Sequence, residues 1–367
     1  MTALVLLALA ASRPPTPQVL GPRVSETPVV SYRFRSRDRR ARFRCAIDAV
    51  RLRPCRSPYR VRLTPGVHVL RVQAVDPGGR AGRVVKVRIR ILEPRAPEVR
   101  VGVSPLDAVA VGSSIWTENF ADGTASIVDT ATRRVTSVPV GGIPGGIAYG
   151  AGSVWIDDFG DGTLTRLTPA GQVLARIPLG GQSSGIAIGG STAYVADYTG
   201  GLSRVDTASN KVVGRTPLPN RAEAVALGFG LVWVTDDVGT VTTLDPSTGG
   251  VVGLPIPVGS DTDGISITSA AVWAVALWGR TLARIDPATR QVVTRVRTSG
   301  QASGVLASGD SVWVSNYDRA TVSRFDIAAG RFVKTYRVGR KPRGLAEAAG
   351  AIWVANQSSN SVSRLRP

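Results

Sequence analysis

The chain has 367 residues, including 41 Gly and 24 Pro, with 43% hydrophobic and 6% aromatic residues, a turn-rich composition that suits short-stranded all-β domains. The formal net charge of +19 is uneven: residues 1–100 hold 22 Lys and Arg against 6 Asp and Glu, and the rest hold 23 against 20. Charge-driven attraction is therefore excluded for most of the chain and belongs to its first hundred residues.

Residues 1–11, MTALVLLALAA, form an apolar run as long as a signal-peptide core, and Ala8-Leu9-Ala10 offers a small-x-small cleavage site. Export is expected, with a retained N-terminal anchor as the alternative. The run is too short to span a bilayer as a helix, and no later segment is long and apolar enough to do so. No Cys follows the run, so a lipid anchor is not expected. Residues 12–28 read as a Pro-rich linker without regular structure.

Residues 29–92 follow period two, with Tyr32 and Phe34 against Arg33 and Arg35, then Phe43, Cys45 and Ile47 against Arg42 and Arg44. Half-buried antiparallel strands and a small β-sandwich are predicted. Phe43-x-Cys45-x-Ile47-Asp48, Pro54-Cys55-x-Ser57-Pro58-Tyr59, Pro65-Gly66-x-His68 and Val72-x-Ala74-x-Asp76-x-x-Gly79 resemble a bacterial immunoglobulin-like module of exported multidomain proteins. The resemblance implies a disulfide between Cys45 and Cys55. A covalent staple also suits a domain too small to bury much core. A zinc site would need about four ligands, and a redox site lacks the C-x-x-C spacing. Residues 93–97, with Pro94 and Pro97, read as a short stiff hinge.

From residue 98 onward one aromatic recurs. Trp116, Trp155, Tyr194, Trp233, Trp273, Trp313 and Trp353 lie 39, 39, 39, 40, 40 and 40 residues apart. A period of about 40 residues with several short strands per unit predicts a β-propeller, and seven repeats predict seven blades. Val99 to Val103, followed by Pro105, matches Tyr336, Arg337 and Val338, followed by Pro342, while the seventh repeat lacks its last strand. The segment near Val99 is therefore expected to supply that strand and close the ring by strand exchange. Val-Trp-Val-Ser-Asn at 312–316, Ile-Trp-Val-Ala-Asn at 352–356, Val205-Asp206-Thr207, Asp245-Pro246-Ser247-Thr248-Gly249 and Ile285-Asp286-Pro287-Ala288-Thr289 carry a resemblance to YVTN/NHL-type propellers. Within these the sequence is similar to the virginiamycin B lyase-like branch.

Lyases of that branch imply paired histidines, a glutamate and a magnesium ion at one mouth of the ring. This chain has one histidine, His68, outside the propeller. Histidine-dependent lyase chemistry therefore does not carry over, nor does a Ser-His-Asp or Cys-His system. No catalytic residue is assigned. Asp157, Asp158 and Asp161 are weighed as a weak divalent-cation site against an Asp-rich turn that binds its own backbone. Asp129, Asp206, Asp245, Asp286 and Asp326 read as turn residues. Arg166, Arg204, Arg284, Arg324 and Arg364 read as a solvated face.

Aligned on the anchor aromatic, position +3 holds Asn119, Asp158, Asp197, Asp236, Ala276, Asn316 and Asn356. Position +4 holds Phe120, Phe159, Tyr198, Asp237, Leu277, Tyr317 and Gln357. Small polar groups beside aromatics suit ligand recognition, with interblade packing as the competing reading. Phe120, Asp158, Phe159, Asp197, Tyr198, Asp236, Asn316 and Tyr317 are the candidate ligand-binding set at the propeller mouth, joined by Trp278, which stands outside the repeat. The expectation is a secreted or envelope-located, monomeric, non-catalytic binding or scaffold protein, whose ring binds an unidentified ligand or partner and whose basic module favours an anionic envelope polymer. Nucleic acid is not an expected partner, because the module's aromatics occupy the inward phase of their strands. The alternatives are a lyase-like or lactonase-like enzyme using carboxylates and a divalent cation, and a purely structural spacer.

Overall fold

The period-two segments fold as strands that bury one face. In Val29–Arg35, Val30, Tyr32 and Phe34 are buried while Arg33 and Arg35 are exposed. The computed structural model describes residues 15–367, so the expected signal peptide lies outside the described residues. The chain divides into two units, Met1–Pro94 and Arg95–Pro367. No helix among the described residues is long and apolar enough to cross a membrane.

The first unit is a sandwich of two sheets. Gln18–Leu20, Val29–Arg35 and Tyr59–Arg62 form one; Val24–Ser25, Val85–Ile91, Gly66–Val75, Arg42–Ile47 and Arg53–Cys55 form the other. Tyr32 and Phe34 pack between them against Leu70, Val72 and Ile89. Cys45 and Cys55 are joined by a disulfide with Cα atoms 5.8 Å apart. Closing so short a loop contributes about 3 kcal/mol in the chain-entropy account.

The segment expected as an irregular linker is partly ordered. Gln18–Leu20 pairs with Val29–Arg35, and Val24–Ser25 runs parallel to Val85–Ile91. Val19 packs against the core, and the Tyr32 hydroxyl donates to the Pro22 carbonyl at 2.9 Å. The prolines of this segment fall outside both short strands, so none removes a ladder donor.

The second unit contains seven four-stranded antiparallel sheets. Their first strands include Val109–Val111, Pro144–Gly150, Ser183–Gly189, Ala222–Gly228, Thr262–Ile267, Ala302–Ser308 and Pro342–Ala348. Each neighbours the next, and the last returns to the first. This is the arrangement of a β-propeller. The fourth strand of the last sheet comes from Glu98–Arg100, which pairs with Ser361–Leu365 through Ser361↔Arg100, Val362↔Val99 and Ser363↔Glu98.

The anchor aromatics lie in the second strand of each sheet and fill the gap to the next one. Trp155, for example, packs with Leu164, Ala193, Val195 and Val205. Arg166, Arg284, Arg324 and Arg364, expected on a solvated face, instead cover these rings. Each lies directly across the ladder from its Trp, with the guanidinium 4.9, 6.0, 5.8 and 5.7 Å from the ring centre. The Asp turns fold as read: Asp129, Asp206, Asp245, Asp286 and Asp326 each accept backbone N–H groups from their own turn.

Candidate functional site

The repeat places one position of every sheet on the axis of the ring. Ten residues before each anchor aromatic stand Leu106, ahead of its first strand, and Gly145, Ser184, Glu223, Asp263, Ser303 and Arg343 within theirs. All seven line one cavity of about 500 Å³. Two residues further on, the same face of the strand returns to the axis with Ala108, Ile186, Val225, Ile265, Val305 and Leu345. The cavity thus has a polar tier and an apolar tier. Between them the repeat needs small residues, because a Cβ on Gly185 or Gly304 would strike the carbonyl of Glu223 or Arg343 in the next sheet.

Phe120, Phe159 and Tyr198 also line the cavity. Their rings form an arc, with centroids 6.3 Å apart for the first pair and 5.5 Å for the second. Of the aromatics at position +4, these three meet as an arc over three sheets. Tyr317 stands apart: its hydroxyl meets Gln357 Oε1 at 3.2 Å, and Lys341 and Arg343 lie over its ring. Trp278 is 65% exposed and outside the cavity, close to Asp261.

The polar row at position +3 bonds its own loops and strands. Asp158 accepts the N–H groups of Ile143, Gly160 and Asp161; Asp197 accepts those of Gln182 and Thr199. Asp236 accepts from Thr240 and from Asn220 Nδ2, and Asn316 donates to Thr321 and Ser323. These groups satisfy loop and strand ends. Nor do Asp157, Asp158 and Asp161 converge. Asp157 and Asp158 alternate on opposite faces of one strand, and among the described residues no three His, Cys, Asp or Glu side chains group as metal ligands. His68 is tied within its own unit, with Nδ1 2.8 Å from Asp48 Oδ2 and Nε2 2.9 Å from the Thr64 carbonyl. The Asp48 bond raises its pKa.

The charged groups at the axis fall outside the sequence-derived set. Arg343 lies 3.3 Å from both carboxylate oxygens of Asp263. Desolvation opposes its charge, but Asp263 and other carboxylates outweigh it and hold the guanidinium protonated. Burial pushes Asp107 up to about 6 and Glu223 up to about 8. Behind the wall, burial also raises Glu118 well above the carboxylate range and Asp157 to about 8. Glu118 Oε1 accepts the Asp107 N–H at 2.6 Å, while Oε2 has no partner. The amides of Gly146 and Gly145 lie close to Asp157 and temper its shift, yet neither carboxylate oxygen completes a hydrogen bond. One signal of these groups does lie in the sequence: acidic residues break the small-residue pattern, Asp107 where other repeats hold Gly or Ala, and Glu118 and Asp157 where they hold Ala, Thr, Val or Ser.

The family model described as outer membrane protein assembly factor BamB matches residues 160–252, about a quarter of the chain. No curated protein matches. Among solved structures, the Kuenenia stuttgartiensis hydrazine synthase is similar with a TM-score of 0.67 at 18% identity, covering 72% of this chain and 96% of that one. A structure of U3-55K gives 0.66 at 13% identity, covering 74% and 98%. The computationally designed Ika8 protein gives 0.57 at 12% identity, covering 74% and 100%. At such identities the likeness is one of fold.

Proposed function

We propose that the protein is an exported, non-catalytic binding protein, in which a basic immunoglobulin-like module precedes a closed seven-bladed ring that takes its ligand in the axial cavity. The observation that carries this reading is that one repeat position from every blade, together with the aromatic arc, converges on one concave site. The partial match to a model named for an assembly factor supports a binding role. Narrowing the cavity with Leu106→Trp and Val225→Trp tests it. Mass spectrometry after incubation with a bacterial extract should find small molecules retained by the wild-type chain and lost from the folded double variant. Equal retention by both would remove the cavity from the reading.

The basic module is proposed to favour an anionic envelope polymer. Lys86, Arg88 and Arg90 are exposed on one strand, and Lys86 faces Arg71 directly across the ladder. Like charges so placed repel, and an anionic surface would relieve them. Full-length protein should sediment with isolated bacterial envelopes at low salt and be released near 1 M salt, where the screening length falls to about 3 Å. Lys86→Glu, Arg88→Glu and Arg90→Glu together should abolish the binding. Salt-resistant binding, or binding unchanged in the triple variant, would contradict an electrostatic tether.

A further inference from the structure

We propose that the axial cavity selects an organic monocation, an amine carrying a flat apolar group, with the ammonium at Glu223 and the apolar part against Phe159 and its neighbours in the arc. This rests on the reading of the cavity as a ligand site. Four charged side chains line it, Asp107 just ahead of the first strand of its sheet and Glu223, Asp263 and Arg343 within theirs. Arg343, the one cation lining the cavity among the described residues, is already committed to Asp263 and to the face of Tyr317. Asp107 and Glu223 feel its charge but have no ion-pair partner of their own. Glu223 makes no hydrogen bond or ion pair with a described residue, and Asp107 accepts only the Ala108 N–H at 2.8 Å.

Two further acids lie close behind the wall. Asp157 is fully buried with neither oxygen hydrogen-bonded, and it lies against Gly145 in the cavity wall. Glu118 Oε2 is likewise buried and unpartnered. Both stand behind the lining, so the preference of the cavity itself rests on the carboxylates and rings that line it. The carboxylates do not group as metal ligands, and the apolar tier with three aromatic rings favours an organic cation over a hydrated ion.

Glu223 gives the site a titration signature. Asp263, Asp261 and Asp237 add to the effect of burial, Arg343 opposes it, and the carboxyl is held at about 8. At pH 7 the empty site is therefore largely protonated there. A bound ammonium stabilises the carboxylate, and the proton passes to buffer.

The test titrates 2-phenylethylamine, 2-phenylethanol and phenylacetate into the full chain by calorimetry, in two buffers of different ionisation enthalpy. The amine should bind about tenfold or more tighter than the alcohol, and phenylacetate more weakly than either. Amine affinity should rise from pH 6 to pH 8, with release of nearly one proton at pH 7. Glu223→Gln should lose the proton release and about tenfold in amine affinity, with alcohol binding unchanged. Phenylacetate or phenylethanol binding as tightly as the amine overturns the inference, and so does unchanged amine binding by Glu223→Gln. Should that variant misfold, the pH series on the wild-type chain decides the same question, and amine affinity that does not rise with pH overturns the inference. Equal binding of all three probes, lost in the narrowed double variant, would leave the cavity a ligand site without charge preference. Binding of none overturns the inference, and the extract experiment then judges the cavity separately.

Discussion

Deleting residues 98–104 is expected to lower the unfolding midpoint of the second unit by more than about 10 °C, and to do so for the whole unit. Three ladder pairs to Ser361–Leu365 disappear with Glu98–Arg100. Val99 and Val101 also leave a cluster that joins both ends of the unit, with Trp353 and Val362 on one side and Ile115 and Val128 on the other. Burial of two Val side chains and the lost backbone bonds together come to roughly 5 kcal/mol or more, and a unit of this size loses about 2–4 °C per kcal/mol. The remaining edge strand would also stand open to pairing with other chains. Calorimetry should show one transition moved down. An unchanged midpoint, or a small separate early transition, would mean that the exchanged strand is an accessory to an already stable ring.

Asp157→Asn should stabilise the protein at pH 8 by several kcal/mol and flatten its pH dependence. The carboxyl is held at about 8 against an ordinary value of 3.8. The native state therefore keeps a proton that the unfolded chain gives up, and stability falls as pH rises between those two values. The contribution is fully present below about pH 4 and lost through pH 8, on the order of 3–5 kcal/mol in all. Glu118 adds a slope of the same sign. The amide is isosteric with the protonated carboxyl and carries no charge to bury. Chemical denaturation at pH 5 and pH 8 would measure this directly. A wild-type protein more stable at pH 8, or an Asn variant no more stable there, would show that Asp157 is ionised and paired.

The wild-type chain thus holds acids where the same positions of other repeats hold small neutral residues, at a cost in neutral-pH stability. Groups kept at such a cost are commonly functional. This places the interest at the axis and away from the loop row.

Much of this architecture is legible without coordinates. The interval between aromatics is a local property of each repeat, and every repeat must bury the same face against its neighbour. For that reason Trp116, Trp155 and their counterparts announce the sheets, and Val99 announces the strand that pairs with the last of them. Alternating Arg and apolar residues likewise disclose the strands of the first unit, because a half-buried strand has period two. The site is harder. Asp158, Asp197, Asp236 and Asn316 read as a ligand-facing row, but their loops leave backbone N–H groups and hydroxyls for them to bind. Phe120, Phe159 and Tyr198 follow from register, though register cannot tell that only three such rings reach the cavity.

Spacing along single stretches of chain sets the periodic part: all-β strands, repeats, turn chemistry and the charged first module. The site arises from long-range convergence. Leu106, Glu223, Asp263 and Arg343 lie far apart along the chain, and they meet because the first strands of the sheets gather around one axis. Burial, which raises Glu223 and Asp157, and the pairing of Arg343 with Asp263 exist only after that convergence.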